Sequence, residues 1–184
     1  QEGNYNVDIS VPMTIFDLPM PPLQKLKNPF TWLLQLWYME RKIHMPFPFE
    51  VILLELGTDH PGDIDHFKKY LRPDIAIVTA VAPEHMEYFK TIDAVAKEEL
   101  SITNFSSLAI INRDDIDESF AKYMNNSNID TYGASGIAEY HYLVNDFEPG
   151  KGFVGTFVSP EFGEQPVILH VAGEHNIKAA VAAG

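Results

Sequence analysis

Residues 54–65 read LELGTDHPGDID, and a second apolar run, residues 75–81 (IAIVTAV), is followed closely by Glu84 and His85. In both places a run with the length and β-branched content of a buried strand gives way to polar residues. The carboxyl ends of strands are where ligands bind in an open α/β sheet, so Glu55 and His85 become candidates for one shared site. The alternation extends outward from these anchors. Residues 49–56 read as a strand, residues 63–71 place Ile64, Phe67 and Leu71 on one helical face, and residues 75–81 form a second strand. Residues 91–102 then read as a helix, 108–112 as a third strand and 115–124 as another helix. This order implies right-handed crossovers and an α/β fold, a mostly parallel sheet with helices on both faces. After Asn125 the pattern changes: residues 140–146, 153–159 and 167–171 are strand signals joined by Gly- and Pro-containing turns, with no room for crossover helices. They predict a small antiparallel β extension. Residues 175–183 open a final helix.

Composition narrows the function. A chain of 184 residues that is 46% hydrophobic can bury one ordinary core, so a single domain over 1–184 is the expectation. The 13 basic and 26 acidic residues give a formal charge of -13, which repels nucleic acid and anionic membranes unless a local basic patch intervenes, and no basic run stands out along the chain. Cysteine is absent, which excludes disulfides, Cys zinc sites and thiol catalysis and suits a reducing compartment. No signal peptide and no run of about 18 apolar residues is present, so a cytoplasmic location and no membrane span are expected.

Residues 21–48 stand apart as a helical insertion. Asn28 before Pro29 is a helix-start signal; Phe30, Leu33, Leu34 and Trp37 share one face, and Trp32, Leu36 and Met39 another. The ordinary fate of such apolar faces is packing against the sheet or the segment's own loops. The alternative, through residues 29–43, is a contact surface for a partner or a membrane interface.

Five motifs in order, ELGTDHPGDI, TAVAPEHMEYF, TIDAVAKEEL, AIINRDD and GEHNIKAAVAA, resemble those of the central ATPase domain of the Mur ligases, a P-loop NTPase-like fold. The opening GNYNVDISVPMT is similar to the GN-x-NN-x-x-G-x-P segment of the branch that adds D-alanyl-D-alanine to UDP-N-acetylmuramoyl-tripeptide. The resemblance covers nearly the whole chain outside 21–48. It implies an ATP-dependent ligase in peptidoglycan precursor synthesis that forms an amide through an acyl phosphate, with ATP and Mg²⁺ as cofactors and a UDP-MurNAc-peptide and a dipeptide or amino-acid acceptor as partners.

Site residues follow from the same resemblance. Glu55 matches a glutamate that holds the magnesium bridging the nucleotide phosphates, and such an oxygen ligand suits a hard cation. His85 matches a histidine that binds a second cation, although imidazole is a less usual magnesium ligand. Taken singly, Glu55 reads as a loop carboxylate and His85 as a satisfied buried histidine; it is their placement at successive strand ends that favours a site. Asn112 and Asp114 match an Asn-x-Asp segment that contacts the nucleotide, where a lone Asn would otherwise be a turn or cap residue. His175 and Asn176 match a turn near the adenine, and Asn176 equally suits a helix cap. Asn4 and Asn6 match a segment approaching the UDP-sugar, where terminal polar residues are ordinarily just solvated.

Departures from the family pattern carry information too. The family places a carbamylated lysine two positions after Lys97, and here Glu99 stands there, offering a carboxylate directly; the other reading is a solvent-facing Glu99 with Lys97 or Glu98 as the functional residue. Ala80, Val7, Ser10 and Ala179 replace Asn, Asn, Gly and Asn of many members, and the Gly-Lys-Thr phosphate loop expected upstream is absent. The chain therefore reads as a fragment lacking the P-loop and, in isolation, inactive. Two other functions stay open at this point: a ligase for another acceptor, of folylpolyglutamate or cyanophycin type, and a non-catalytic binding or scaffold protein.

Overall fold

The computed structural model describes residues 10–184, and these divide into two compact units that meet in sequence between Asp59 and His60. Asn4, Asn6 and Val7 lie outside the described residues.

In the first unit, helix α1 (Ser10–Ile15) buries Ser10, Val11 and Met13, and a 3-10 turn covers Leu23–Lys25. Helix α2 (Pro29–Ile43) begins where the sequence predicts. The Asn28 side chain accepts the N–H of Phe30 at 3.0 Å, and Pro29 occupies the first turn, where its missing N–H costs nothing. The ordinary expectation that α2 packs its apolar faces is met only in part: Trp32 and Met39 are partly buried, whereas Phe30, Leu33, Leu34, Leu36 and Trp37 are exposed. Residues 49–56 are likewise not a strand: they carry no regular structure, and Val51 and Leu53 are 82% and 87% exposed. A strand exists only through a ladder to a neighbour, and among the described residues this run has none.

The second unit is built on a six-stranded sheet whose spatial order follows the chain: β1 (Ile75–Val78), β2 (Leu108–Asn112), β3 (Ile129–Gly133), β4 (Tyr140–Glu148), β5 (Gly152–Ser159) and β6 (Gly163–Leu169). Neighbours from β1 to β4 run parallel, and β4, β5 and β6 form an antiparallel meander. The α/β class with an antiparallel extension is thus observed; the sheet gains β3, which the sequence does not announce, and lacks the strand expected over 49–56. Strand β3 pairs Ala109–Asn112 with Ile129–Tyr132 and joins the meander to the parallel strands.

Side-chain alternation assigns the two faces. Ala76 and Val78 sit in register with Ala109 and Ile111, and all four are buried on the side reached by the 3-10 segment Leu100–Phe105. The opposite side of β1 is open, with Ile75 and Ile77 exposed. Further along that side, Tyr132, Tyr142 and Phe153 form a core with Ile177 and Val181 of helix α6 (His175–Ala183), where Ile110 also packs. The buried Tyr142 hydroxyl lies 2.8 Å from the Phe153 carbonyl and 2.7 Å from that of Val167, so its single proton serves β5 and β6 alike.

Helix α3 (Asp63–Phe67) buries Ile64 and Phe67 and ends before Leu71, shorter than expected. Helix α4 (Met86–Phe89) is a single turn. Helix α5 (Ile92–Glu99) is capped by the Thr91 hydroxyl on Ala94 N–H and continues as the 3-10 segment to Phe105. The helix expected over 115–124 is a 3-10 helix, Glu118–Tyr123, because Asp117 takes the N–H of Ser119 and starts the turn late.

Glu98 connects two of these helices. Its carboxylate is buried and accepts the N–H groups of Gly62 and Ile64, each at 2.8 Å, supplying from α5 the cap that α3 lacks. Glu98→Ala should lower stability by on the order of 3 kcal/mol in urea unfolding, since two N–H groups lose their acceptor, while Glu98→Gln, which keeps one oxygen, should lose less. Tyr142→Phe should cost about 1–2 kcal/mol in the same measurement.

Candidate functional site

The carboxyl end of β1 leads into a loop where Glu84 and His85 are exposed. His85 is the cap residue of α4 and has a left-handed backbone, φ 49° and ψ 35°, unusual for a residue with a Cβ. Glu99, at the end of α5, is partly buried and comes close to this loop. Burial pushes the Glu99 carboxyl up to about 7, the negative charges of Glu84 and Glu98 push in the same direction, and His85 opposes them. Two of the sequence-predicted residues, His85 and Glu99, are thus brought together, with Glu84 as a third member that the sequence reading quoted but gave no role.

Glu98 and Lys97 separate cleanly. Lys97 is exposed, and Glu98 is the helix-capping residue described above. The signal for Glu98 was its position three residues after Val95, on the buried face of α5. Glu55 belongs to the first unit, where it is exposed in irregular chain.

A second group forms at the ends of β2 and β3. Asn112 is buried; its Nδ2 donates to the Thr79 carbonyl and to Asp115, both at 2.7 Å, and its Oδ1 accepts the Asp114 N–H at 3.1 Å. Asn112 therefore ties the ends of β1 and β2 to the turn that follows. Asp115 also receives Lys178 Nζ of α6 at 2.7 Å on each oxygen, which links the AIINRDD and GEHNIK motifs directly. Asp114 accepts the Ala134 N–H at 2.6 Å and the Ser135 hydroxyl, clamping the turn after β3. The clamp requires glycine at 133, where a Cβ would stand 2.9 Å from the Asp114 carboxylate. Asp115 and Lys178 were not anticipated from the sequence.

His175 and Asn176 share the turn into α6. Gly173 is left-handed at φ 84°, and a Cβ there would meet the His175 ring at 2.6 Å, so the imidazole lies over the glycine. Asn176 Nδ2 donates to the Ala172 carbonyl at 2.6 Å. Among the described residues, no three His, Asp or Glu side chains form a group that could hold a metal ion by themselves.

Partial burial alone would raise the Asp114 pKa, but the Ser135 hydroxyl and the Ala134 N–H outweigh it and hold the carboxyl below its ordinary 3.8. A depressed folded-state pKa contributes stability that is present above the unfolded value and disappears as pH falls through the folded one. Asp114→Asn is therefore expected to be less stable at pH 7 by about 1 kcal/mol, a figure discounted for exposure, and in denaturant titrations the difference from the parent should close as the pH falls below the ordinary carboxylate value of 3.8.

The chain is similar to known proteins in sequence and in fold. The Mur ligase middle domain family matches residues 43–184. The UDP-N-acetylmuramoyl-tripeptide–D-alanyl-D-alanine ligase of Haemophilus influenzae is 30% identical over 189 residues, covering 98% of this chain and 34% of that protein. The ligase of the same name from Bacillus subtilis is 25% identical over 193 residues, covering 99% and 34%. The chain thus spans about a third of the length of these relatives. Among solved structures, MurF from Acinetobacter baumannii superposes with a TM-score of 0.64 at 21% identity, over 79% of this chain and 32% of that one. MurF ligase from Thermotoga maritima in complex with ADP does so with 0.62 at 21% identity, over 82% and 34%. At that identity the structures establish the fold, and with the family match over most of its residues the chain belongs to the Mur ligases, of whose middle domain it is a member.

Proposed function

We propose that this chain is the central, ATP-handling part of a cytoplasmic ligase that joins D-alanyl-D-alanine to a UDP-N-acetylmuramoyl peptide in peptidoglycan precursor synthesis. What supports the reading is the electrostatic influence of Glu84 and His85, in the loop beyond the carboxyl end of β1, on the partly buried Glu99, in a member of the Mur ligase family. The identity to ligases of that name supports the choice of acceptor.

Carboxylates are poor electrophiles, and activation solves this in two steps. A carboxylate oxygen of the UDP-sugar peptide attacks the γ-phosphorus of ATP, the bond from that phosphorus to the bridging oxygen breaks, and ADP departs. The dipeptide amine then adds to the carbonyl carbon of the acyl phosphate and loses a proton; the carbon–oxygen bond to phosphate breaks, leaving an amide and inorganic phosphate. Both steps bring anions together.

His85 and Glu99 are proposed to hold one Mg²⁺, and Glu55, through its match to the family's glutamate, is proposed as a ligand of another. The donors fit: a partly buried carboxyl whose pKa is raised by burial and by neighbouring carboxylates is one that a cation would restore to its charged form. When bound, the ion supplies charge neutralisation between nucleophile and triphosphate. Asp114, His175 and Asn176 are proposed to border the nucleotide. Asn112, whose side-chain N–H groups are already donated, would serve by holding the two strand ends and Asp115 in place. Asn4 and Asn6 are proposed to approach the UDP-sugar.

In the complete ligase, Glu55→Ala should abolish ATP-dependent phosphate release with UDP-MurNAc-tripeptide and D-Ala-D-Ala while circular dichroism stays unchanged. Glu99→Gln should raise the Mg²⁺ concentration for half-maximal rate by on the order of tenfold or more. Unchanged turnover and metal dependence in both variants would refute these roles, and phosphate release supported only by a different amine would reassign the acceptor.

A further inference from the structure

Helix α2 turns an apolar stripe toward solvent. Phe30, Leu33, Leu34 and Trp37, spaced i, i+3, i+4 and i+7, are 75%, 61%, 51% and 50% exposed. Trp32, Gln35, Met39 and Lys42, on the other side of the helix, are partly buried. That inner side is fastened within its own unit: Trp32 Nε1 donates to the Leu26 carbonyl at 2.7 Å, Gln35 Nε2 to that of Pro19 at 3.3 Å, and Lys42 Nζ to Asp17 at 3.3 Å. The orientation of the stripe is therefore fixed.

Its surroundings are basic in an acidic chain. Lys25 and Lys27 precede the helix, Arg41 and Lys42 lie in its last turn, and Glu40 is the sole acid in residues 21–48, whereas the whole chain carries -13. The cations are divided between the two ends of the helix, which is why no basic run is visible in the linear sequence. The Arg41 guanidinium sits 5.0 Å from the Trp37 ring centroid, so cation and aromatic face the same region.

We infer that α2 lies flat on an anionic lipid bilayer, with Phe30, Leu33, Leu34 and Trp37 sunk to the headgroup boundary and Lys25, Lys27 and Arg41 against lipid phosphates. An apolar face with Trp and Phe, bracketed by cations, is the pattern of an interfacial helix. No helix among the described residues is long and apolar enough to cross a membrane, so α2 rests on the surface. The charge pattern selects lipid over a second copy of this chain: cations at both ends of the helix would face cations in either a parallel or an antiparallel pairing.

The chain holds two tryptophans, so Trp32→Phe leaves Trp37 as the reporter. With vesicles of phosphatidylglycerol and phosphatidylcholine, the 184-residue chain carrying this change should cosediment, and its emission should shift to the blue and resist acrylamide quenching. Pure phosphatidylcholine and high salt should weaken all three effects. Lys25→Gln with Lys27→Gln should lower partitioning about thirtyfold, and Leu33→Glu, at an exposed position, should abolish it without changing the circular dichroism. Absence of a shift with anionic vesicles, or equal binding by Leu33→Glu, would overturn the inference. Sedimentation velocity showing a dimer that Leu33→Glu dissolves, without vesicle binding, would overturn it in favour of self-association.

Discussion

The geometry of the site loop rests on a buried carboxylate whose two oxygens are taken by backbone N–H groups. Glu98 takes the N–H groups of Gly62 and Ile64 and so fixes the start of α3 to the end of α5 across more than thirty intervening residues in sequence. The helix it caps has no side-chain cap of its own and only five residues, too few to persist without tertiary support. Because Glu98 points inward, Glu99 follows it around the helix to a partly buried position where Glu84 and His85 act on it. One side chain thus determines the placement of the next.

A second set of polar contacts gives the carboxyl edge of the sheet its rigidity. Asn112 bridges the ends of β1 and β2, Asp114 closes the turn after β3, and Asp115 reaches α6 through Lys178. Side-chain hydrogen bonds here do what the ladder cannot, since the strands have ended and their loops carry no regular pairing. The helix that α6 adds is held both by this ion pair and by the core of Tyr132, Tyr142 and Phe153 beneath it.

Hydrophobic runs with local boundaries were legible: β2 and α6 occupy the residues the sequence indicates, and the three strands of the meander are displaced only at their ends. Strand β3 was not, because IDTYG offers an Asp, a Thr and a Gly and owes its existence to pairing with β2 and β4. Residues 49–56 failed in the opposite sense, since an apolar run announces burial but says nothing of a hydrogen-bonding neighbour. At the site, the family resemblance singled out Glu55, His85 and Glu99, of which His85 influences the Glu99 carboxyl electrostatically, while the capping role of Glu98 and the ion pair of Lys178 escaped because their partners lie far away in sequence. The outward face of α2 was legible as a stripe, but its exposure was not, since periodicity does not distinguish an inward face from an outward one.

The backbone of His85 has an implication for any attempt to improve this protein by selecting for robustness. A left-handed residue with a Cβ carries a conformational penalty of roughly 1–2 kcal/mol that glycine does not. Glycine at 85 would remove that penalty, and with it the imidazole and the interactions the imidazole makes. Relief of backbone strain and retention of the imidazole therefore pull against each other at a single codon.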